Sequence, residues 1–145
     1  TGNLILNLAI LAWAIAQGLK IIITFWTKKK LDWHYLVASG GMPSSHSAFV
    51  CACAAAVGYM YGWGSPMFGI AAVVAIVVMY DAANVSKAAG EEHKILNYIM
   101  DHWTEMKPAL FGKELKELLG HTPFQVLMGG LLGVVVGLAG AWPWS

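Results

Sequence analysis

Arginine is absent from this chain and charge of either sign is scarce: nine lysines and eight acidic residues among 145 leave a net charge of +1. No nucleic-acid partner is expected, because binding a phosphate backbone needs a concentrated basic surface. Cysteine is limited to Cys51 and Cys53. On a helix they lie about 200° apart, too far round to share a metal or a standard disulfide. Both read as buried small residues. Repeats and low-complexity tracts are missing as well.

What fills the chain is apolar. Hydrophobic residues make up 58% and charged residues 12%, a balance far from that of a soluble domain. Four stretches, near 3–26, 43–62, 66–80 and 123–142, reach or approach the roughly 20 residues that a helix needs to cross hydrocarbon. They are rich in Ala, Leu and Val and unbroken by turn clusters, which favours helices over a membrane barrel. The expected fold is an all-α integral membrane protein: a single membrane domain over 1–145, about four transmembrane helices, and a cytoplasmic helical insert over 81–122. The first stretch lacks a basic start and a small-residue cleavage site, so it reads as a span and not as a signal peptide.

Lysine positions orient these spans. Lys28, Lys29 and Lys30 follow the first, and Lys87, Lys94, Lys107, Lys113 and Lys116 lie between the third and fourth. The positive-inside rule makes that side cytoplasmic, with both termini outside. Trp26, Trp33, Tyr35 and Tyr80 then fall near the inner interface, and Tyr59, Tyr61, Trp63, Trp142 and Trp144 near the outer one, as amphipathic rings prefer. In the insert, 85–107 and 109–119 are each expected to be helical, separated by Pro108 and Gly112. The last span carries Gly129, Gly133 and Gly137 at spacing four, which lets backbones approach closely in lipid. The pattern leaves open whether they pack within one chain or across a homodimer.

Two motifs stand at helix starts on the cytoplasmic side. In Gly40-Gly41-Met42-Pro43-Ser44-Ser45-His46-Ser47, glycine permits close backbone approach, Pro43 suits a first helical position, and free amides with the positive dipole end suit a phosphate. An ordinary helix cap is the plainer reading. In Gly120-His121-Thr122-Pro123-Phe124-Gln125, Thr122 and Gln125 form a capping box around Pro123. That leaves His121 without a structural role other than an interfacial polar residue. Lys20 lies one to two turns inside the first span with Gln17 three residues earlier, and is either a functional residue or a snorkelling one. Asp81 and Lys87, at the exit of the third span, can face the same pocket; Lys87 can equally pair with Glu91. His34, His93 and His102 read as surface or packing residues.

GGMPSSHS, YDAANV followed by AAGEEHKILN, and KELLGHTPFQVLMGGLLG together resemble the three signature stretches of the divergent type 2 phosphatidic acid phosphatase family, related to vanadium-dependent haloperoxidases. The resemblance runs through most of the chain. It implies a metal-independent lipid phosphate phosphatase in a bacterial inner membrane or plastid-type membrane, with no cofactor; the cytoplasmic side of the motifs makes an inner-leaflet phospholipid the expected substrate. It assigns His121 as nucleophile, His46 as general acid, and Lys20, Ser44, Ser45, Gly41 and Lys87 as phosphate-binding. The chain departs from the wider superfamily in having lysines where arginines are usual. It also has Gln125 where a carboxylate orients the nucleophilic histidine, a role that would fall to Asp81. These departures leave a second reading, a catalytically weak relative that binds phospholipid headgroups or a partner protein.

Overall fold

The computed structural model describes residues 1–28, 41–102 and 122–144. Helix α1 spans Leu4–Lys28, α2 Ser45–Tyr61, α3 Pro66–His102 and α4 Pro123–Ala141, closed by a 3-10 turn at Trp142–Trp144. No strand occurs among the described residues. By length and composition three segments can cross a membrane: Leu4–Thr27, Pro66–Asn84 and Pro123–Trp144. At 17 residues α2 is shorter, about 25 Å long at 1.5 Å per residue.

The shortest helix is the central one. Its residues are small or apolar on all sides, from Ser47 and Ala48 through Ala52 and Ala56, and most are buried. A helix with no polar face is stable only when surrounded, and α2 packs against α1, α3 and α4. The other three turn large side chains outward, among them Leu11 and Ile22 of α1, Ile70, Val73 and Ile76 of α3, and Leu131 and Val135 of α4. In a bilayer those surfaces face lipid tails.

Helix α4 runs parallel to α2 in constant step. A side chain at Gly129 would strike the carbonyl of Ser44, one at Gly133 that of Ala48, and one at Gly137 that of Ala52. The small row of α2, Ser44, Ala48, Ala52 and Ala56, therefore matches Gly129, Gly133, Gly137 and Ala141 with a fixed offset of 85 residues. Lipid tails are as apolar as leucine, so association here rests on close backbone packing, with Cα–H groups facing carbonyl oxygens. The question left open by the glycine row is answered within one chain: these glycines lie buried against α2. Helix α1 is antiparallel to this pair, with Leu8 against Ala56 and Ala141 at one end, and Ala12 and Ala16 against Ala48 and Ala52 further along.

The ends are locally specified. Asn3 Oδ1 accepts the Leu6 N–H at 3.1 Å to start α1. Gly62, at φ 93°, ends α2 in a conformation that side chains disfavour. Ser65 Oγ then accepts the Phe68 N–H at 3.2 Å to begin α3, and Trp63 meets Phe68 edge to face with centroids 5.1 Å apart. Tyr59 stacks on Trp142 at 6.3 Å, so the aromatic belt expected at the outer interface gathers at one end of the bundle.

Two expectations about the elements need revision. The third span and the beginning of the insert are one continuous helix, α3, through His102. Asp81 and Asn84 are polar but neither breaks a helix, and an interior glycine such as Gly90 costs only about 1 kcal/mol. Pro43 is not the first residue of α2: Ser44 is the cap, at φ −68° and ψ 115°, and Pro43 precedes it. A serine cap satisfies a helix amide that proline cannot, which moves the start one residue on. Residues 103–121, with the helix expected over 109–119, lie outside the described residues, as do Trp33 and Tyr35.

Candidate anion site at paired helix starts

The parallel packing of α2 and α4 brings their first turns side by side. Ser44 caps α2: its Oγ accepts the Ser47 N–H at 3.4 Å and the Ser47 hydroxyl at 3.2 Å. Thr122 caps α4 in the expected capping box, with Thr122 Oγ1 accepting the Gln125 N–H at 3.3 Å and Gln125 Oε1 accepting the Thr122 N–H at 3.0 Å. One hydrogen bond ties the two starts together, from Ser44 N–H to the Gln125 carbonyl at 3.0 Å. Glycine at 129 lets the helices come this close, since any Cβ there would strike the Ser44 backbone.

Helix starts carry partial positive charge, about half an elementary charge each. Two of them side by side repel, and neither first turn contains an acidic residue to offset this. A third positive group adds to the pair. Lys20 of α1 is 0% exposed, and its stem passes beneath Gly41, whose ideal Cβ would lie 3.2 Å from Lys20 Cγ and 3.3 Å from Cδ. The side chain is enclosed by protein at this end of the bundle. Gly41 stands at φ 101°, which glycine alone adopts without strain. Gln17, one turn before Lys20, is also buried.

The residues named from sequence therefore divide into groups. Lys20, Gly41, Ser44 and Ser45 are drawn together at one end of the bundle, the three larger side chains buried. His46 follows directly in the first turn of α2 and is exposed there. Asp81 is exposed on α3, outside the buried group. Lys87 lies on α3 about 9 Å further along the axis, at 1.5 Å per residue. His121 lies outside the described residues; its peptide bond leads directly into the cap residue Thr122. Cys51 and Cys53 are free thiols, the first buried, with Cys51 Sγ 3.3 Å from Met79 Sδ.

Sequence reasoning missed two members. Ser47 fixes the Ser44 hydroxyl, a role visible in the spacing of three from a capping serine. The Gln125 carbonyl links the helices, and a backbone acceptor leaves no signal in residue type. Among the described residues no group of three or more His, Cys, Asp or Glu side chains is placed to hold a metal ion. The arrangement suits a group with several negative oxygens, because preorganised N–H groups and a buried cation stabilise such charge without reorganisation.

Fold and site together define an all-helical membrane protein with two parallel helix starts joined by a hydrogen bond and a lysine buried beneath the Gly41 turn. The chain belongs to the Divergent PAP2 family, whose profile matches residues 1–136. It is 40% identical to the uncharacterized membrane protein YuiD of Bacillus subtilis strain 168, over 85% of this chain and 84% of that relative. No solved structure matches it.

Proposed function

We propose that this protein is a lipid phosphate phosphatase, cleaving a phosphomonoester such as phosphatidylglycerophosphate or phosphatidic acid. The observation that carries the reading is the Ser44 N–H to Gln125 carbonyl bond, which joins two positive helix starts beside an enclosed lysine. His121, tethered to Thr122, attacks phosphorus; the P–O bond to the lipid breaks as His46 gives its proton to the departing oxygen. Water then attacks the phosphohistidine, releasing inorganic phosphate and restoring both histidines. Lys20, Ser44, Ser45 and the amides near Gly41 balance the charge on the transferring group, with Lys87 as a further cation and Asp81 as the carboxylate that orients His121. The mechanism requires no metal. Lys28, Lys87 and Lys94 belong to the end of the bundle where α2 and α4 begin, which favours a cytoplasmic site and an inner-leaflet substrate.

The test is phosphate release by purified protein in detergent, with chelator present, from both lipids, for wild type, His121→Ala and His46→Ala. Release that survives chelator and is lost in both variants is expected. A folded wild-type protein that releases no phosphate refutes the reading.

One observation favours a second reading. Gln125 Oε1 is engaged by the Thr122 N–H, so this side chain serves the cap and not a catalytic histidine. A relative that binds phosphorylated headgroups with little turnover would keep the helix starts and the lysine and dispense with the carboxylate. Binding of vanadate without phosphate release is its signature.

A further inference from the structure

The three helices that can cross a membrane disagree on where its inner face lies. The apolar run of α3 ends at Tyr80, roughly 22 Å after Pro66 at 1.5 Å per residue, against a hydrocarbon core of about 30 Å. Asp81 and Asn84 follow, both exposed. They continue the outward rows of the helix: Asp81 that of Ile70, Val74 and Val77, and Asn84 that of Val73, Val77 and Tyr80, all of them exposed. Packing sets their depth. Cys51 meets Met79 and stands about 10 Å from Ser44 along α2, so Asp81 lies about 7 Å, and Asn84 about 3 Å, from the level of Ser44 toward the outer end.

The neighbouring helices stay apolar well past that level in the other direction. Gly129 is in step with Ser44, which puts Leu127 and Phe124 about 3 and 7 Å nearer the inner end. Ala12 and Ala16 pack against Ala48 and Ala52, which puts Ile22 and Trp26 about 3 and 9 Å nearer it. All four of these large side chains are exposed. A flat inner face drawn at Trp26 and Phe124 leaves Asp81 and Asn84 about 10–16 Å inside hydrocarbon, and one drawn at Asp81 leaves about three turns of apolar α1 and α4 in water. Neither side chain can snorkel over that distance, since each has a single methylene. A bilayer meets a short apolar stretch by thinning beside it.

We propose that the inner leaflet dips beside α3, its headgroups and water descending to meet Asp81 and Asn84, while the bilayer keeps its ordinary thickness along α1 and α4. What covers this face of α3 is therefore the headgroup layer. Asn84 Nδ2 donates to the Tyr80 carbonyl at 3.0 Å within the helix, and a carboxylate on an outward row is met by water and by the cationic groups of headgroups. The dip brings inner-leaflet headgroups to the depth at which α2 starts, recessed as Ser44 is behind the ends of α1 and α4. The inference goes beyond the phosphatase reading and holds whether or not the site hydrolyses anything.

Two measurements test this in phosphatidylcholine vesicles. The first uses single-cysteine variants in a Cys51→Ala, Cys53→Ala background with a charged, membrane-impermeant maleimide on both sides, because a thiol reacts as its thiolate and hydrocarbon suppresses that form. Asp81→Cys and Asn84→Cys are expected to react about tenfold or more faster than Ile22→Cys and Leu127→Cys, although the latter two lie nearer the inner end. Equal rates at all four positions, or faster reaction at Ile22 and Leu127, are the results for a flat bilayer and overturn the proposal. Slow reaction at 81 and 84 also overturns it, whether hydrocarbon or a second copy of the chain covers them. The second measurement leaves the chain unaltered, so no variant has to fold. A water-soluble carbodiimide with an added amine, read by mass spectrometry, is expected to modify Asp81 at a rate close to that of the exposed Glu92 further along α3. Modification of Asp81 by a hydrocarbon-soluble carbodiimide alone places it in the bilayer interior and overturns the dip.

Discussion

Replacing Gly133 by alanine tests whether the α2–α4 contact is what holds the bundle. An added Cβ would strike the Ala48 carbonyl oxygen and lie 2.9 Å from both Ala48 Cα and the Ala52 nitrogen. All three are backbone atoms, so no side chain can rotate aside and the helices must separate locally. Overpacking of this kind costs about 1–3 kcal/mol, and a backbone collision belongs at the upper end. Alanine recovers about 1 kcal/mol through its better helix propensity. The net expectation is a loss of about 2 kcal/mol, roughly thirtyfold in the folding equilibrium at 1.4 kcal/mol per tenfold. Gly69 of α3 is the control, since nothing lies within 4 Å of its ideal Cβ. Gly69→Ala should be neutral or slightly stabilising. Reversible unfolding of the two variants in mixed micelles, titrated with a denaturing detergent and read by intrinsic tryptophan fluorescence, gives both differences. A Gly133→Ala protein as stable as wild type would refute the in-step packing on which the site depends.

Other substitutions probe the site from different sides. Ser44→Ala removes the acceptor for the Ser47 N–H and is expected to cost about 1 kcal/mol by the same unfolding measurement, the usual effect of losing a cap; no change would mean that the amide finds another partner. Gly41→Ala places a Cβ at φ 101° and within 3.3 Å of the Lys20 stem. Such backbone strain costs about 1–3 kcal/mol, and phosphate release should fall as Lys20 shifts, whereas an unaltered rate would detach Gly41 from the site.

The sequence carried the membrane class, the approximate limits of α1 and α4 and the Thr122–Gln125 cap because each has a local cause: length in hydrocarbon, terminal polar groups, and residues three apart. The pairing of α2 with α4 was half visible. Gly129, Gly133 and Gly137 announced a close contact, but the matching row Ser44, Ala48, Ala52 and Ala56 is less conspicuous in a helix composed largely of small residues. Only tertiary packing fixes the register. The continuity of α3 was missed because polarity at Asp81 and Asn84 marks where a helix leaves hydrocarbon and not where it ends. The start of α2 was displaced because Pro43 and Ser44 are both acceptable near a helix start, and the capping hydroxyl decides. Lys20 could be either snorkelling or enclosed from its depth alone. Its burial depends on the Gly41 turn folding over it, a contact between residues that sequence spacing does not relate.

Enclosure also bears on how the proposed phosphate site would work without arginine. A guanidinium is the usual choice for phosphate because its planar fork binds two oxygens at once, but the fork needs width and the lysine ammonium is a compact charge on a slim stem. Beneath Gly41 there is little width, with the Lys20 methylenes already near contact distance of where a single added carbon would sit. Lys20→Arg is therefore expected to fold less well than wild type, because the wider fork overfills the space beneath Gly41. Binding should show the complementary result. A ligand that binds only the folded state at 100 times its Kd stabilises that state by about 2.7 kcal/mol, so saturating vanadate should raise the unfolding midpoint of wild type. Lys20→Met, compared with its own unfolding midpoint without the anion, should show no vanadate-dependent rise. A methionine variant that retains the full rise would remove Lys20 from the site and leave the paired helix starts to hold the anion alone.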